Sequence, residues 1–347
     1  MAGVQIGKTG VMETEVKGVM RYAFDDIRIF RIAVESFPDH VTNVYLILDN
    51  EASLVDVGFD GEKARADLER GFDIISQDFK EDVGLEDISN IIITHGHGDH
   101  FGMLAYKRLK GKRVYIHQLD SRIIKDYPGE NLIWRKYAEE RAREAGCDLN
   151  LEEIPSYPLD IQATDYQLIE LSDERQLVNG YEVYYTPGHT PGHICLRVGP
   201  ILLLGDHMLS LTTPHQTPKR GWQGAGLSTY LDSLMKVAES EAQLGLAAHE
   251  DTIYPIKRRA EEIATFHHQR LKELVELCRE ENNLYQLTNK YYQRHPEFIQ
   301  ASCIEALIID DKMLALEEIE AHVEYLLESD RMMVASVDDG VIGYRSR

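Results

Sequence analysis

The sequence predicts an α/β protein of layered strands and helices, followed by a smaller and mostly helical unit. Three observations lead there. Short β-rich runs alternate with amphipathic helical stretches as far as residue 255. Polar side chains able to bind metals follow directly on apolar strands at several places. Beyond 255 the strand rhythm gives way to helices. A chain of 347 residues, 43% hydrophobic, can bury the core of one large domain and a small one, which places the division at 1–255 and 256–347.

Residues 28–57 read as strands: "IRIFRIAVE" and "NVYLILD" are β-rich, and "ASLVDVG" ends at Asp56 and Gly58. In "GEKARADLERGFDIIS" (61–76), Ala64, Leu68, Phe72 and Ile75 recur at helical spacing. The strand "NIIIT" leads into "HGHGDH" (95–100), a helix is expected from Gly102, and "KRVYIH" (112–117) is the next strand. The stretch 118–165 breaks the rhythm with a helix and a Pro-containing loop. It reads equally as an insertion at a site mouth or as a helix pair covering a sheet edge. Strands resume at 166–171, 181–186, 193–198 and 201–205. A loop rich in Pro, Gly and Thr spans 207–227, and a helix near 228–240 with the strand "LGLAAH" closes the large unit. The tail then runs as a long helix from 256, further helical segments, and a hairpin turning at Asp338-Asp339-Gly340, which is winged-helix order.

Charge and composition exclude several classes. A net charge of -22 repels nucleic acid and anionic membrane surfaces. The tail from 256 carries 12 Lys+Arg against 18 Asp+Glu, and its helix near 315–328 presents Glu317, Glu318, Glu320, Glu324 and Glu328, which would repel phosphates. A structural or dimerising module walling the active site is the expected role, leaving a homo-oligomer open. Cys147, Cys195, Cys278 and Cys303 show no CxxC spacing, the N-terminus has no secretory apolar region, and the longest apolar runs are too short to cross a bilayer. A soluble cytoplasmic protein acting on a small molecule is expected.

Five strand ends offer ligands. Asp56 follows "LV", His95, His97, Asp99 and His100 follow "NIIIT", His189 and His193 lie in "TPGHTPGH", Asp206 follows "LLLG", and His249 follows "LAA". Strand ends on one edge of a layered sheet converge, and sites form there. Gly96 and Gly98 are expected to let the histidine turn aim alternate residues at one centre.

This ordered set resembles the metallo-β-lactamase superfamily over residues 25–255. The resemblance implies a four-layer αββα fold and two divalent metal ions, zinc foremost, with manganese or iron as alternatives. By that resemblance His95, His97 and His189 hold one ion, Asp99, His100 and His249 the other, and Asp206 bridges them. Asp56 is read as a group orienting the turn rather than a ligand, and His193 as a supporting histidine. His207 and His215 are candidates for the pocket wall, and of His267 and His268, on one helix, only one can face the site.

Ligand identity then narrows the chemistry. His97 stands where redox members of the fold carry a carboxylate, and Asp206 where antibiotic-hydrolysing members lack one, so the set is similar to that of glyoxalase II, lactonases and phosphodiesterases. The tail resembles the winged-helix appendage of β-lactamase-like hydrolases. The expected function is hydrolysis of a small ester, thioester or lactone, in which a hydroxide between the metals attacks the carbonyl and Asp99 orients it and handles its proton. An endoribonuclease or phosphodiesterase, and a non-catalytic metal-binding scaffold, are the alternatives. Lys219, Arg220 and Trp222, in "TPKRGWQG" after Asp206, and His207 are candidate substrate contacts, the cations able to grip a carboxylate or the phosphates of a coenzyme A ester, with a solvated basic turn as the alternative.

Overall fold

Apolar runs such as Ile91-Ile92-Ile93 carry no polar face because both of their faces are buried. Side chains alternate along a strand. Ile91 and Ile93 join an apolar cluster under helices, while Ile92 joins a second cluster between two sheets. Leu202 and Leu204 likewise face helices while Ile201 and Leu203 face the other sheet. A two-sheet sandwich with helices on each outer side follows from that pattern. The computed structural model has this arrangement and describes residues 3–148, 157–174, 176–299, 304, 307 and 309–347.

The first sheet runs in chain order: β1 (Val4–Gln5), β2 (Met12–Val16), β3 (Val19–Phe24), β4 (Ile27–Phe37), β5 (His40–Leu48), β6 (Ser53–Val55), β7 (Asn90–Ile92), β8 (Arg113–His117) and β9 (Gln167–Leu171). Neighbours are antiparallel as far as β6 and parallel from β6 to β9. The strands thus begin well before residue 28. β2 and β3 alternate Glu13, Glu15 and Arg21 with apolar residues and are partly exposed, which weakens their signal in the sequence. The second sheet holds β10 (Gln176–Val178), β11 (Tyr181–Tyr185), β12 (Ile194–Val198), β13 (Ile201–Gly205) and β14 (Leu244–Ala247), with β13 and β14 parallel.

On the outer face of the first sheet, α1 (Glu62–Gln77) packs Ala64, Leu68 and Phe72 against Phe30 and Ile32. The helix expected from Gly102 begins four residues earlier: α2 (Gly98–Phe101) contains Asp99 and His100, and a 3-10 turn follows. The insertion forms α3 (Ser121–Lys125) and α4 (Tyr127–Ala145), while 149–156 lie outside the described residues. Asp126 caps α4 by accepting from the Gly129 N–H at 3.1 Å, and Gly146 closes it in the left-handed region at φ 71°.

The outer face of the second sheet is covered by α5 (Leu227–Ala238) and α6 (Ile256–Leu277). Then come β15 (Asn282–Asn283), α7 (Leu284–Arg294), α8 (Ile309–Glu328) and the hairpin of β16 (Met332–Asp338) and β17 (Val341–Ser346), which turns at Asp339 (φ 49°) and Gly340 (φ 84°). The core does not stop at residue 255. Ile256, Ala260 and Ile263 share one apolar cluster with Leu202 and Tyr230 on one side and with Leu287, Leu316 and Ile319 on the other. Cys147, Cys195 and Cys278 are buried free thiols, and Cys303 lies outside the described residues. Among the described residues no helix is long and apolar enough to cross a membrane.

Candidate metal centre

The ends of β6, β7, β8, β13 and β14 meet on one edge of the sandwich, and the ligand-type residues project from there. Asp56 leaves β6 in the left-handed region at φ 56°. Its carboxylate accepts from the Thr94 N–H and Thr94 hydroxyl, each at 2.8 Å, and from His100 Nδ1–H at 2.8 Å. Asp56 therefore holds the turn and one ring and points at neither cluster. Gly205 turns β13 toward Asp206 at φ 52°, where a Cβ would stand 2.8 Å from Thr94 and His193. His193 Nε2 accepts the Asp206 N–H at 3.2 Å, so this buried ring supports the backbone of Asp206. Gly96 and Gly98, expected to supply unusual backbone angles, have ordinary ones. An added Cβ at Gly96 would crowd Asp120 at 3.3 Å, so close approach is what glycine serves there, whereas at Gly98 it would make ordinary contact with Phe59 at 3.4 Å.

Two donor groups result. His95, His97, His189 and Asp206 place one ligand atom each within 4.8 Å of one another, and so do His100, Asp206 and His249. The two oxygens of Asp206 divide between them. Oδ2 lies 3.9 and 3.6 Å from Nε2 of His95 and His189, and Oδ1 lies 3.6 and 3.3 Å from Nε2 of His100 and His249. Asp99 Oδ2 joins the second group, 3.5 Å from His100 and 3.3 Å from His249.

Outward hydrogen bonds set the tautomers. His189 Nδ1–H donates to the His215 carbonyl and His249 Nδ1–H to the Val41 carbonyl, each at 2.7 Å. The Thr94 hydroxyl donates to Asp56, so its oxygen accepts His95 Nδ1–H at 3.0 Å. The inward Nε2 atoms of His95 and His189 are then bare lone pairs, while at His100 and His249 the facing carboxylates favour a proton on Nε2 that a bound metal ion would displace. His95 and His189 aim theirs at His97 Nδ1, at 3.1 and 3.0 Å, although one N–H can satisfy only one of them. His100 and His249 aim theirs at carboxylate oxygens. His100 Nε2 and Asp206 Oδ1 are buried without a hydrogen-bond partner. Lone pairs converging at the first cluster are repulsive unless a cation lies between them, and the paired carboxylates of the second draw positive charge to it, so both donor sets fit divalent metal ions.

The electrostatics follow the same division. Burial, with the neighbouring His189, pushes His97 down to about 3, and burial pushes His95 and His189 down as well. Burial also opposes charge on His249, but Asp206 and Asp99 outweigh it and push that ring up to about 10. Despite burial, His100 holds Asp99 well below the carboxylate range, and His249 and His100 do the same for Asp206.

Two positions were missed in the sequence. His40, on the β4–β5 hairpin, donates from Nε2 to Asp99 Oδ2 at 2.8 Å and lines the cleft. Asp120, three residues beyond β8, accepts from the Gly96 N–H at 2.8 Å, the Thr190 hydroxyl at 2.6 Å and the Gly192 N–H at 2.7 Å, pinning the two histidine loops together. Asp120 also follows an apolar strand, a signal that could have found it. His40 has no such mark.

Three expected substrate contacts are corrected. Lys219 pairs with Glu328 at 2.8 Å, and Arg220 holds Glu144 with its two Nη atoms. Their backbone N–H groups donate to Glu324 at 2.6 and 3.0 Å. These cations tie the loop to α4 and α8. His207 is fully buried between His193 and Tyr230 and cannot touch a substrate. Trp222 does reach a pocket wall beside His97. His215 lines the cleft, His267 is buried against His322, and His268 is exposed. The α8 glutamates are not a repelling outer face. Glu317, Glu318 and Glu320 are buried, meeting Arg141, Arg270 and the loop at Gln216.

A family model described as the metallo-beta-lactamase superfamily matches residues 38–255. A protein of Aquifex aeolicus (strain VF5), described only as uncharacterized, is 28% identical over 159 residues, which span 45% of this chain and 59% of that one. The structure of a metallo-beta-lactamase family protein from Thermus thermophilus is similar at a TM-score of 0.68 and 23% identity, over 92% of this chain and 98% of that one. A beta-lactamase domain protein from Burkholderia ambifaria is similar at 0.68 and 19%, over 99% and 95%. At such identities the likeness shows the fold alone.

Proposed function

Because this chain belongs to the metallo-beta-lactamase superfamily, whose members are typically metal-dependent hydrolases, we propose that it cleaves a small ester, thioester or lactone with two divalent metal ions held side by side. The observation that carries the reading is Asp206, whose two oxygens face two separate histidine clusters. Five inward imidazoles and two carboxylates suit zinc, manganese or iron. Ions bound there supply Lewis acidity and make water a nucleophile at neutral pH. The chain's own residues do the positioning. Asp56, Thr94, His215 and Val41 fix the ring tautomers, and His193 holds the Asp206 backbone. Asp99, whose Oδ2 accepts from His40 and faces His100 and His249, would orient the attacking water.

The cleft above these residues measures about 1500 Å³ with its open mouth included, a size that suits a small molecule. An ester is favoured over a phosphodiester because Lys219 and Arg220 are engaged by Glu328 and Glu144 and not turned to phosphates. The test is a panel of aryl esters, thioesters, lactones and bis-aryl phosphodiesters, with and without chelator, accompanied by metal analysis. Expected is chelator-sensitive turnover of the carboxylic substrates, restored by zinc, manganese or iron. Turnover of the phosphodiester alone would replace this substrate class, and a fully metallated protein inert on every substrate would end the hydrolase reading.

A further inference from the structure

A second cavity opens beside His97, of about 1210 Å³ with its mouth included. Its walls come from three parts of the chain: Ile123, Tyr127 and Trp134 from the insertion, Trp222 from the loop after Asp206, and Met313 and Leu314 from α8. His97, Tyr157 and Leu314 line both this cavity and the metal cleft, so the two spaces adjoin. The aromatic walls are only partly buried. Trp222 is held in place by the Arg122 guanidinium, 4.0 Å from its ring centroid. Of the carboxylates in the lining, Glu317 is engaged by Arg141 and His215, while Glu130 faces Arg122 at 3.5 Å without a hydrogen bond.

We propose that this cavity binds the apolar acyl or aryl part of the substrate, so that the preferred substrates are esters or thioesters of medium- to long-chain acids. The inference rests on the hydrolase reading for its reaction and on the cavity for its substrate class. Wall chemistry and position argue together. Partly exposed Trp, Tyr, Ile and Leu side chains gain by covering apolar surface. A chain seated there ends beside His97, where its carboxyl carbon meets the metal ligands. Binding strength should then rise with each methylene, because each removes a similar apolar area from water.

Both tryptophans of the chain, Trp134 and Trp222, line this cavity, so intrinsic fluorescence reports on it directly. The metal-loaded protein is titrated with acetate, hexanoate, octanoate, decanoate and dodecanoate, and 4-nitrophenyl esters of the same acids are assayed in parallel. Expected is a saturable change in tryptophan emission with affinity rising about twofold to fourfold per methylene, and kcat/KM rising with it. Leu314→Gln, at an exposed position tolerant of substitution, should flatten both dependences. Emission and turnover that ignore chain length would overturn the cavity assignment and leave the hydrolase reading standing. Length-dependent binding that Leu314→Gln flattens, with no ester cleaved at any length, would keep the cavity as an apolar-acid site and overturn the hydrolase reading. A length dependence unchanged in Leu314→Gln would place the apolar site elsewhere.

Discussion

His100 offers a single nitrogen inward because Asp56 takes the proton on the other. Asp56→Asn tests this with little change in shape, since asparagine tolerates the left-handed backbone at φ 56°. An amide cannot accept from the Thr94 N–H, the Thr94 hydroxyl and His100 together, as the carboxylate does. If its NH₂ faces His100, the ring must move its proton to Nε2, which then cannot bind a metal. If the amide flips, two donors meet at the Thr94 N–H. The expected outcome is a folded protein whose metal affinity falls about 10- to 100-fold at the second cluster, the effect of losing such a supporting contact. Metal stoichiometry after dialysis checks it, and two full equivalents held at wild-type affinity would refute the role assigned to Asp56.

The loop after β13 and the helix α8 form one unit although about a hundred residues separate them. Glu318 Oε2 accepts from the Gln216 N–H at 2.7 Å, Glu324 accepts from the Lys219 and Arg220 N–H groups, and Glu328 meets Lys219 Nζ. The charges that look repulsive along the sequence of α8 are thus docking groups. Lys219→Ala with Arg220→Ala should lower stability by about 1 kcal/mol, because exposed ion pairs contribute little each and the backbone contacts to Glu324 survive. KM for ester substrates should change less than about twofold, since uniform binding is lost only when a substrate contact is lost. Thermal unfolding and steady-state kinetics measure the two effects. A tenfold rise in KM confined to anionic substrates would restore the substrate-gripping role that the sequence suggested.

At the scale of the molecule, the sandwich draws together residues from positions 40 to 249, and the centre contributes to the stability of what it joins. The donor clusters tie β5, β7, β13, β14 and the β11–β12 loop, and without a cation the lone pairs of the His95, His97 and His189 cluster oppose one another. Metal removal should therefore lower the melting temperature. A ligand present at 100 times its dissociation constant adds about 2.7 kcal/mol, so for a chain of this length a fall of roughly 4 °C on chelation is expected. Differential scanning calorimetry with chelator, then with zinc restored, gives the answer. An unchanged melting point after full demetallation would mean that the ligands are held apart by packing alone.

Sequence alone determined the layered class and the set of ligand-type residues, because both are local signals. Apolar alternation marks a buried strand within a few residues, and His95, His97, Asp99, His100, His189, Asp206 and His249 each lie within a few residues of a strand end. Only the tertiary structure decided which ring nitrogen faces inward, because the Val41 and His215 carbonyls that settle it stand 208 and 26 residues from their histidines. His40, 59 residues from Asp99, has no spacing that ties it to the site until the β4–β5 hairpin brings it there. The partners of Lys219 and Arg220 and the cavity between α4 and α8 were equally hidden. Composition records a charge or an aromatic ring, but pairing and enclosure depend on which elements pack together.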